Sequence, residues 1–483
     1  MKFLTCFLLI ASILVASTHA LTLVQLTANY ATGNGRVIQQ KDSEFNSARF
    51  GYNHRYNRIP TVILQPYNTA AVQLALEYAQ TNNLRVSIRS GGHSASALSA
   101  LDDTVNIDLQ YMKNKVFNAA DMTITAQTGN KWVEMYEYTK DFGVGTPGGS
   151  CPSVGIGGLS LGGGANDLST VFGHTVDNIL ELEVVLANRT VVVANAQENT
   201  DLYWALRGAG HGGFGIVTQI KYKAYNMRPT YYSNWIQYNW NDFEAVLKFV
   251  NEFSQTMPNT VNLYFTAWKS GAAATPSVAL SCFSHLDPTN GAAAAQCAPF
   301  LTIPGVATPT AFPTTQSYYD TVRTGTDPKA RRSFTKGSFL TEITKQTIRR
   351  IKMVMEDSPS SPYTYNTARL NLYWQGGEML NRPRNYNAYV HRSHPWNAVW
   401  LSSYVTSTLE EEYHDWAKKA DKKMSPYSSG EVYQNYPDDE LDCWEDSYYA
   451  ENYPRLRQIK TSYDPQNYFT GPQTIKSLNV YTY

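Results

Sequence analysis

The segment Arg89-Ser90-Gly91-Gly92-His93-Ser94 sets an imidazole directly behind paired glycines, with a guanidinium a few residues upstream. Glycine has no Cβ, so such a loop lets the backbone lie against a ligand and turn successive N–H groups toward an anion. Arg89 adds a donor for charge-assisted bonds to a phosphate. A second loop, Gly148 to Gly164, holds eight glycines in seventeen residues and carries Cys151. Glycine averages about 7% of a protein, so this is a strong local excess. The interleaved Val154, Ile156, Leu159 and Leu161 mark a packed dinucleotide cradle, because flexible Gly/Ser linkers have no apolar positions to bury. A third stretch runs Asp201 to Gly210 and on through Gly215, Ile216 and Val217, again alternating glycines with apolar residues before a strand. By residue type alone, His93 reads as a satisfied polar loop residue and Cys151 as a buried thiol or half of a disulfide. The second loop is not the GxGxxG fingerprint, which needs a strand before it and a helix opening after it, and no GxxxxGK[ST] occurs, so a ligand here is held differently from the nicotinamide and P-loop folds.

The elements that carry these loops follow from periodicity. Strands are predicted at 61–64, 86–88, 104–109, 123–127, 182–186 and 216–222, and helices over 68–80 and 132–140. Asn68 or Thr69 caps the first of these helices. The order strand, helix, strand, glycine loop is that of a nucleotide-handling α/β region. From about 226 to 430 the chain is richer in Tyr, Trp, Pro and Ala and reads as a second lobe. Its predicted helices cover 341–355 and 409–423, its strands 365–374 and 398–405, with a loop at 270–276. The tail from 431 contains the turn-rich Asp464 to Phe469, suited to return to the first lobe.

The chain of 483 residues, with 43% hydrophobic and 17% charged residues, has ample material for two lobes. Lys+Arg and Asp+Glu balance at 40 each, and no basic run suits nucleic acid or an anionic membrane. The 34 tyrosines and 10 tryptophans offer flat apolar faces for sugars or aromatic ligands, or simply build the core. Residues 1–20 read as a secretory signal, with Lys2, an apolar stretch from Phe3 to Ala16 and small residues before Leu21. The stretch is too short for a comfortable span, and no later run reaches about 18 apolar residues. Export permits disulfides, and Cys282 and Cys297 pair best by proximity, which leaves Cys443 unassigned. Asn188-Arg189-Thr190 is a glycosylation sequon in a predicted turn. No metal site is expected, and the protein is expected to act as a monomer.

RSGGHS, then GGSCPSVGIGG, then DLYWALRGAG with GGFGIVT, and finally DPQNYF resemble the berberine-bridge-enzyme-like branch of the vanillyl-alcohol-oxidase (PCMH-type) flavoproteins, oligosaccharide oxidases included. The resemblance covers residues 55–225 and 430–476. It implies an α+β, two-lobed fold: an FAD-binding domain over 21–225, a substrate domain with an antiparallel sheet flanked by helices over 226–430, and a tail over 431–483 returning to the FAD domain. It also implies FAD bound covalently through His93 at the flavin 8α-methyl and through Cys151 at C6. The rest of the cradle would be Arg89, Ser90, Gly91, Gly92, Ser94, Gly149, Val154, Gly155, Gly157, Gly158, Gly163, Gly215, Ile216, Val217 and Asn467.

Alcohol oxidation needs a hydride acceptor and a base, and the family's YxNYxD motif appears as Tyr433-Gln434-Asn435-Tyr436-Pro437-Asp438. The resemblance makes Tyr436 the base, although a phenol with an ordinary pKa of about 10 needs help to act near neutrality. Tyr373, three residues before Gly376, takes the place of the family's acid or tyrosine that shares a proton with the base. Asn371 and Gln375 flank it as candidates for binding substrate hydroxyls. Val154 occupies the family's dioxygen gate, where a small residue favours an oxidase yielding hydrogen peroxide. Leu159 and Gly164-Ala165-Asn166-Asp167 depart from the family pattern beside the flavin. The expected substrate is the C1 hydroxyl of a sugar or oligosaccharide. The alternatives are an alkaloid, phenolic or allylic alcohol, a dehydrogenase using another acceptor, or a flavoprotein without turnover.

Overall fold

The computed structural model describes residues 20–323 and 331–479. The predicted secretory signal lies outside the described residues up to His19. The first lobe is built on two sheets. Val62–Pro66, Thr104–Asp108 and Arg85–Arg89 lie parallel in that spatial order, and Gly35–Gln39 adds an antiparallel edge. The helix Thr69–Thr81 links the first two of these strands in the chain. It starts where the Asn68 side chain accepts from the Ala71 N–H, and Ala71, Val72, Ala75, Leu76 and Ala79 go into the core. The second sheet is fully antiparallel, in the order Lys115–Asn118, Thr123–Gln127, Ile216–Lys223, Ile179–Val185, Val191–Asn195. The sequon Asn188 sits in the exposed turn between its last two members.

The second lobe is a seven-stranded antiparallel sheet. Its order is Thr310–Gln316, Tyr231–Tyr238, Ser277–Ser284, Val261–Ser270, Thr367–Trp374, Trp396–Tyr404, Arg332–Leu340. One face carries Leu263, Phe265, Leu370 and Leu372, which pack with the helices Phe243–Ser254, Lys345–Glu356 and Glu410–Met424 into an apolar core. Side chains of a strand alternate between faces, so Asn262, Tyr264, Asn371 and Tyr373 point the other way. The helix expected from residue 341 begins at Lys345, because Thr344 caps it by accepting from the Thr347 N–H. The predicted Cys282–Cys297 disulfide is formed, with Cα atoms 5.9 Å apart, and Cys443 is an exposed free thiol.

The tail packs on the first lobe. Leu456, Ile459 and Ile475 join the core of the five-stranded sheet, and Phe469 joins that of the parallel sheet. Lys460, fully buried, pairs with Asp464 at 2.8 Å and donates to the Phe469 carbonyl. No helix among the described residues is long and apolar enough to cross a membrane.

Candidate active site

The two glycine loops meet edge to edge. A Cβ on Gly91 would stand 2.3 Å from the Gly155 nitrogen, and one on Gly155 would stand 2.2 Å from the Gly91 nitrogen. No side chain fits either position. Ser90 clamps the contact: its hydroxyl donates to the Thr128 carbonyl and accepts from the Gly157 N–H at 3.2 Å. Behind this seam lies a cavity of about 720 Å³, lined by both lobes and by the tail segment Phe469 to Thr474.

Most of the expected site residues line it: Ser90, Gly91, Gly92, His93, Ser94, Gly149, Cys151, Val154, Gly155, Gly157, Gly158, Gly215, Val217, Tyr373, Gln375 and Tyr436. The Cys151 Sγ lies 3.7 Å from the His93 Nε2, and Tyr52 stacks on the His93 ring at 4.0 Å. The sequence separates these two nucleophiles by 58 positions; the loop seam brings them into contact.

Five expected residues sit elsewhere. Arg89 does not line the cavity; it bonds to the Ala48 carbonyl and lies 3.9 Å from the buried Asp108 carboxylate. Ile216 is fully buried in the core of the parallel sheet, as strand alternation requires with Gly215 and Val217 facing the cavity. Asn467 braces the tail, donating to the Ser477 hydroxyl at 2.7 Å and accepting from the Ser477 N–H at 2.8 Å. Gly163 lies under the rings of Tyr433 and Tyr389, which fill the space a Cβ would need. Asn371 is occupied within the sheet, accepting from the Tyr264 hydroxyl at 2.6 Å and donating to Tyr373 at 3.3 Å.

Tyr373 and Tyr436 come from the sheet and the tail, and their rings stack at 6.4 Å. The two hydroxyls are neighbours in the cavity wall. Burial pushes the Tyr436 phenol up to about 12, while the Tyr373 hydroxyl works in the opposite direction. Tyr373 is raised well above the ordinary tyrosine value, by burial first and by the neighbouring Tyr436 and Tyr264 next, with Arg369 opposing. Both phenols are thus raised, with burial the first cause in each.

The sequence reading did not identify Tyr52, Tyr264, Asn262, Asp167, Asn397 and Tyr433, all of which line the cavity. Tyr433 belongs to the quoted tail motif, and its hydroxyl accepts from the Gly164 N–H at 2.7 Å. The departing loop has its own partners. Asn166 is bonded to Tyr318 and Tyr136, and Asp167 accepts from Asn262 at 2.9 Å with its carboxyl raised by burial. Among the described residues no cluster of three or more His, Cys, Asp or Glu could hold a metal.

Residues 60–195 match the FAD binding domain family, and residues 432–476 match the berberine and berberine like family. An uncharacterized FAD-linked oxidoreductase of Bacillus subtilis (strain 168) is 27% identical over 92% of this chain and 97% of its own. A second from the same organism is 28% identical over 91% of this chain and 98% of its own. The structure of a berberine-bridge-enzyme-like protein from Physcomitrella patens superposes with a TM-score of 0.84 at 25% identity, over 95% of this chain and all of that one. A xylooligosaccharide oxidase from Myceliophthora thermophila, solved with xylobiose, shares the fold with a TM-score of 0.82 at 22% identity, over 94% of this chain and 100% of that one. The first match covers the two glycine loops and the second covers Tyr433 to Asp438, the pieces that the tertiary structure closes around one cavity. The chain therefore carries an FAD binding domain and a berberine-like C-terminal segment, shares its fold end to end with a berberine-bridge-enzyme-like protein, and is a FAD-linked oxidoreductase.

Proposed function

We propose that this is a secreted carbohydrate oxidase that takes the C1 hydroxyl of a reducing sugar or oligosaccharide to the lactone. The cavity behind the glycine seam fits FAD: it measures about 720 Å³, and the backbone of both glycine loops, His93 and Cys151 line it. His93 and Cys151 would hold the ring covalently; at 3.7 Å they are close enough to attach at neighbouring positions of one edge. FAD there supplies the two-electron acceptor for the carbinol hydride and passes the electrons to dioxygen, giving hydrogen peroxide. The small Val154 at the cavity wall suits access by dioxygen.

Tyr436 takes the proton of the substrate hydroxyl, and the Tyr373 hydroxyl stabilises the resulting phenolate by donating to it. The observation that carries the sugar reading is an aromatic line on the cavity-facing side of the seven-stranded sheet. Trp268 lies 6.2 Å from Trp235, Trp235 lies 6.4 Å from Tyr264, and Tyr264 stacks on Tyr373 at 5.1 Å. These half-buried rings run toward Tyr436 with Asn262, Ser281 and Asn397 beside them. Flat apolar faces next to amides and hydroxyls match the two sides of a sugar ring.

A peroxide-coupled screen of reducing mono- and oligosaccharides against aromatic alcohols tests this. Turnover of a sugar is expected, and Tyr436→Phe should lower kcat by about 10² or more. Turnover of an aromatic alcohol alone would overturn the carbohydrate assignment. Acid-precipitated protein should retain its flavin after Cys151→Ala and release it when His93→Ala is added; flavin released from the unmodified protein would refute the covalent bonds.

A further inference from the structure

A run of directed polar contacts reaches the tyrosine pair from the sheet. The Tyr264 hydroxyl donates to the Asn371 Oδ1 at 2.6 Å. The Thr266 hydroxyl lies 3.1 Å from that oxygen and 3.1 Å from the Leu370 carbonyl, its one hydrogen shared between them. With its oxygen held by Tyr264, the Asn371 amide turns its nitrogen to Tyr373, donating to that hydroxyl oxygen at 3.3 Å. Tyr373 is thus already an acceptor on its Asn371 side, and its own hydrogen is left for Tyr436. Antiparallel register keeps the run in place: Tyr264 is opposite Tyr373, Thr266 opposite Asn371 and Trp268 opposite Arg369, all on one face.

We propose that Asn371, held by Tyr264, is the positioning residue that sets the direction of the Tyr373–Tyr436 interaction and thereby makes Tyr436 the proton acceptor of the pair. An amide is suited to this, since it accepts at one end and donates at the other. A carboxylate at the same place only accepts, so Tyr373 would turn its hydrogen back to the sheet and leave the Tyr436 phenolate unsupported. The titratable groups facing the pair are Tyr264, Tyr52, Tyr433 and Cys151, with Arg369 the charged group behind Tyr264.

The inference rests on Tyr436 as the base, yet it can be read without any substrate. Tyr436 is replaced by 3-fluorotyrosine in the flavin-loaded protein, and its ionisation is followed by 19F NMR against pH. Asn371→Asp should raise the apparent pKa, but a new negative charge does so by itself. The same substitution is therefore repeated in a Tyr373→Phe background, where no hydroxyl can be redirected. The rise with Tyr373 present should exceed the rise without it by about one unit, a coupling typical of groups in one network. Tyr264→Phe, which unlocks the amide while adding no charge, should raise the value by a smaller amount and only when Tyr373 is present. Equal shifts in both backgrounds, or no shift, would overturn the proposal. Failure to oxidise any sugar bears on the substrate assignment alone and leaves this titration interpretable.

Discussion

His174, 1% exposed and with its ring 4.5 Å from that of Tyr389, shows how one buried residue ties stability to pH. Burial lowers its pKa from 6.5 to about 3, and the nearby Arg392 acts in the same direction. Below pH 6.5 the unfolded chain therefore binds a proton at this position that the folded chain refuses, and stability falls as pH drops toward 3. His285, lowered to about 4 by burial, adds to the fall over much of the same window. Thermal midpoints measured between pH 7 and 4 should decline steeply in the unmodified protein and less so in His174→Leu. Parallel curves would mean that the imidazole is not held neutral. For Tyr436 in its proposed role as base, a phenol raised to about 12 that must act ionised should make kcat/KM climb with pH from neutrality into the alkaline range, and a flat profile would count against that role.

The glycine loops act as a unit at the scale of elements. The strand Arg85–Arg89 delivers the first loop and the helix Ile156–Gly162 lies within the second, so the seam fixes how strand and helix approach. In Gly91→Ala the new methyl meets the Gly155 backbone, which has no rotamer with which to yield. A loss of about 1–3 kcal/mol in stability is expected from such overpacking, together with flavin content well below stoichiometric, read from the ratio of visible to ultraviolet absorbance. Full flavin loading with an unchanged melting curve would show that the two loops can part at no cost.

For the whole molecule, the tail joins the two lobes. Lys336, from an edge strand of the seven-stranded sheet, pairs with both carboxylate oxygens of Asp438 at 2.9 and 2.7 Å, both residues being buried. Asp438 stands two residues beyond Tyr436, so the ion pair holds the Tyr436 segment against the seven-stranded sheet. Elsewhere Arg392 pairs with Asp177 at 2.6 Å, and Asn53 exchanges hydrogen bonds with the Ser333 backbone at 2.8 and 3.0 Å. Lys336→Met leaves a buried carboxylate unpaired and should cost about 3–5 kcal/mol in urea unfolding, with much of it recovered in Lys336→Met combined with Asp438→Leu. A loss below about 1 kcal/mol would mark the pair as solvent-screened and structurally minor.

Local patterning determined much of this protein. Strand 123–127 and helix 132–140 fall where periodicity places them, because repeats of two and of 3.6 residues are properties of the chain alone. The glycine excess exposed the cradle for the same reason: a missing Cβ is visible in the sequence, and the matched families bear out the FAD it implies. The strands at 231–238, 261–270, 277–284, 310–316 and 332–340 were not legible. Their outward faces carry Trp235, Tyr264 and Trp268, so apolar residues occur on both sides and the alternation is blurred. Only the tertiary structure set Cys151 beside His93, turned Arg89 toward Asp108, and took Asn371 from hydroxyl binding into the sheet behind Tyr373. Which neighbour satisfies a donor or an acceptor depends on register and packing between segments far apart in the chain, and no local pattern records that choice.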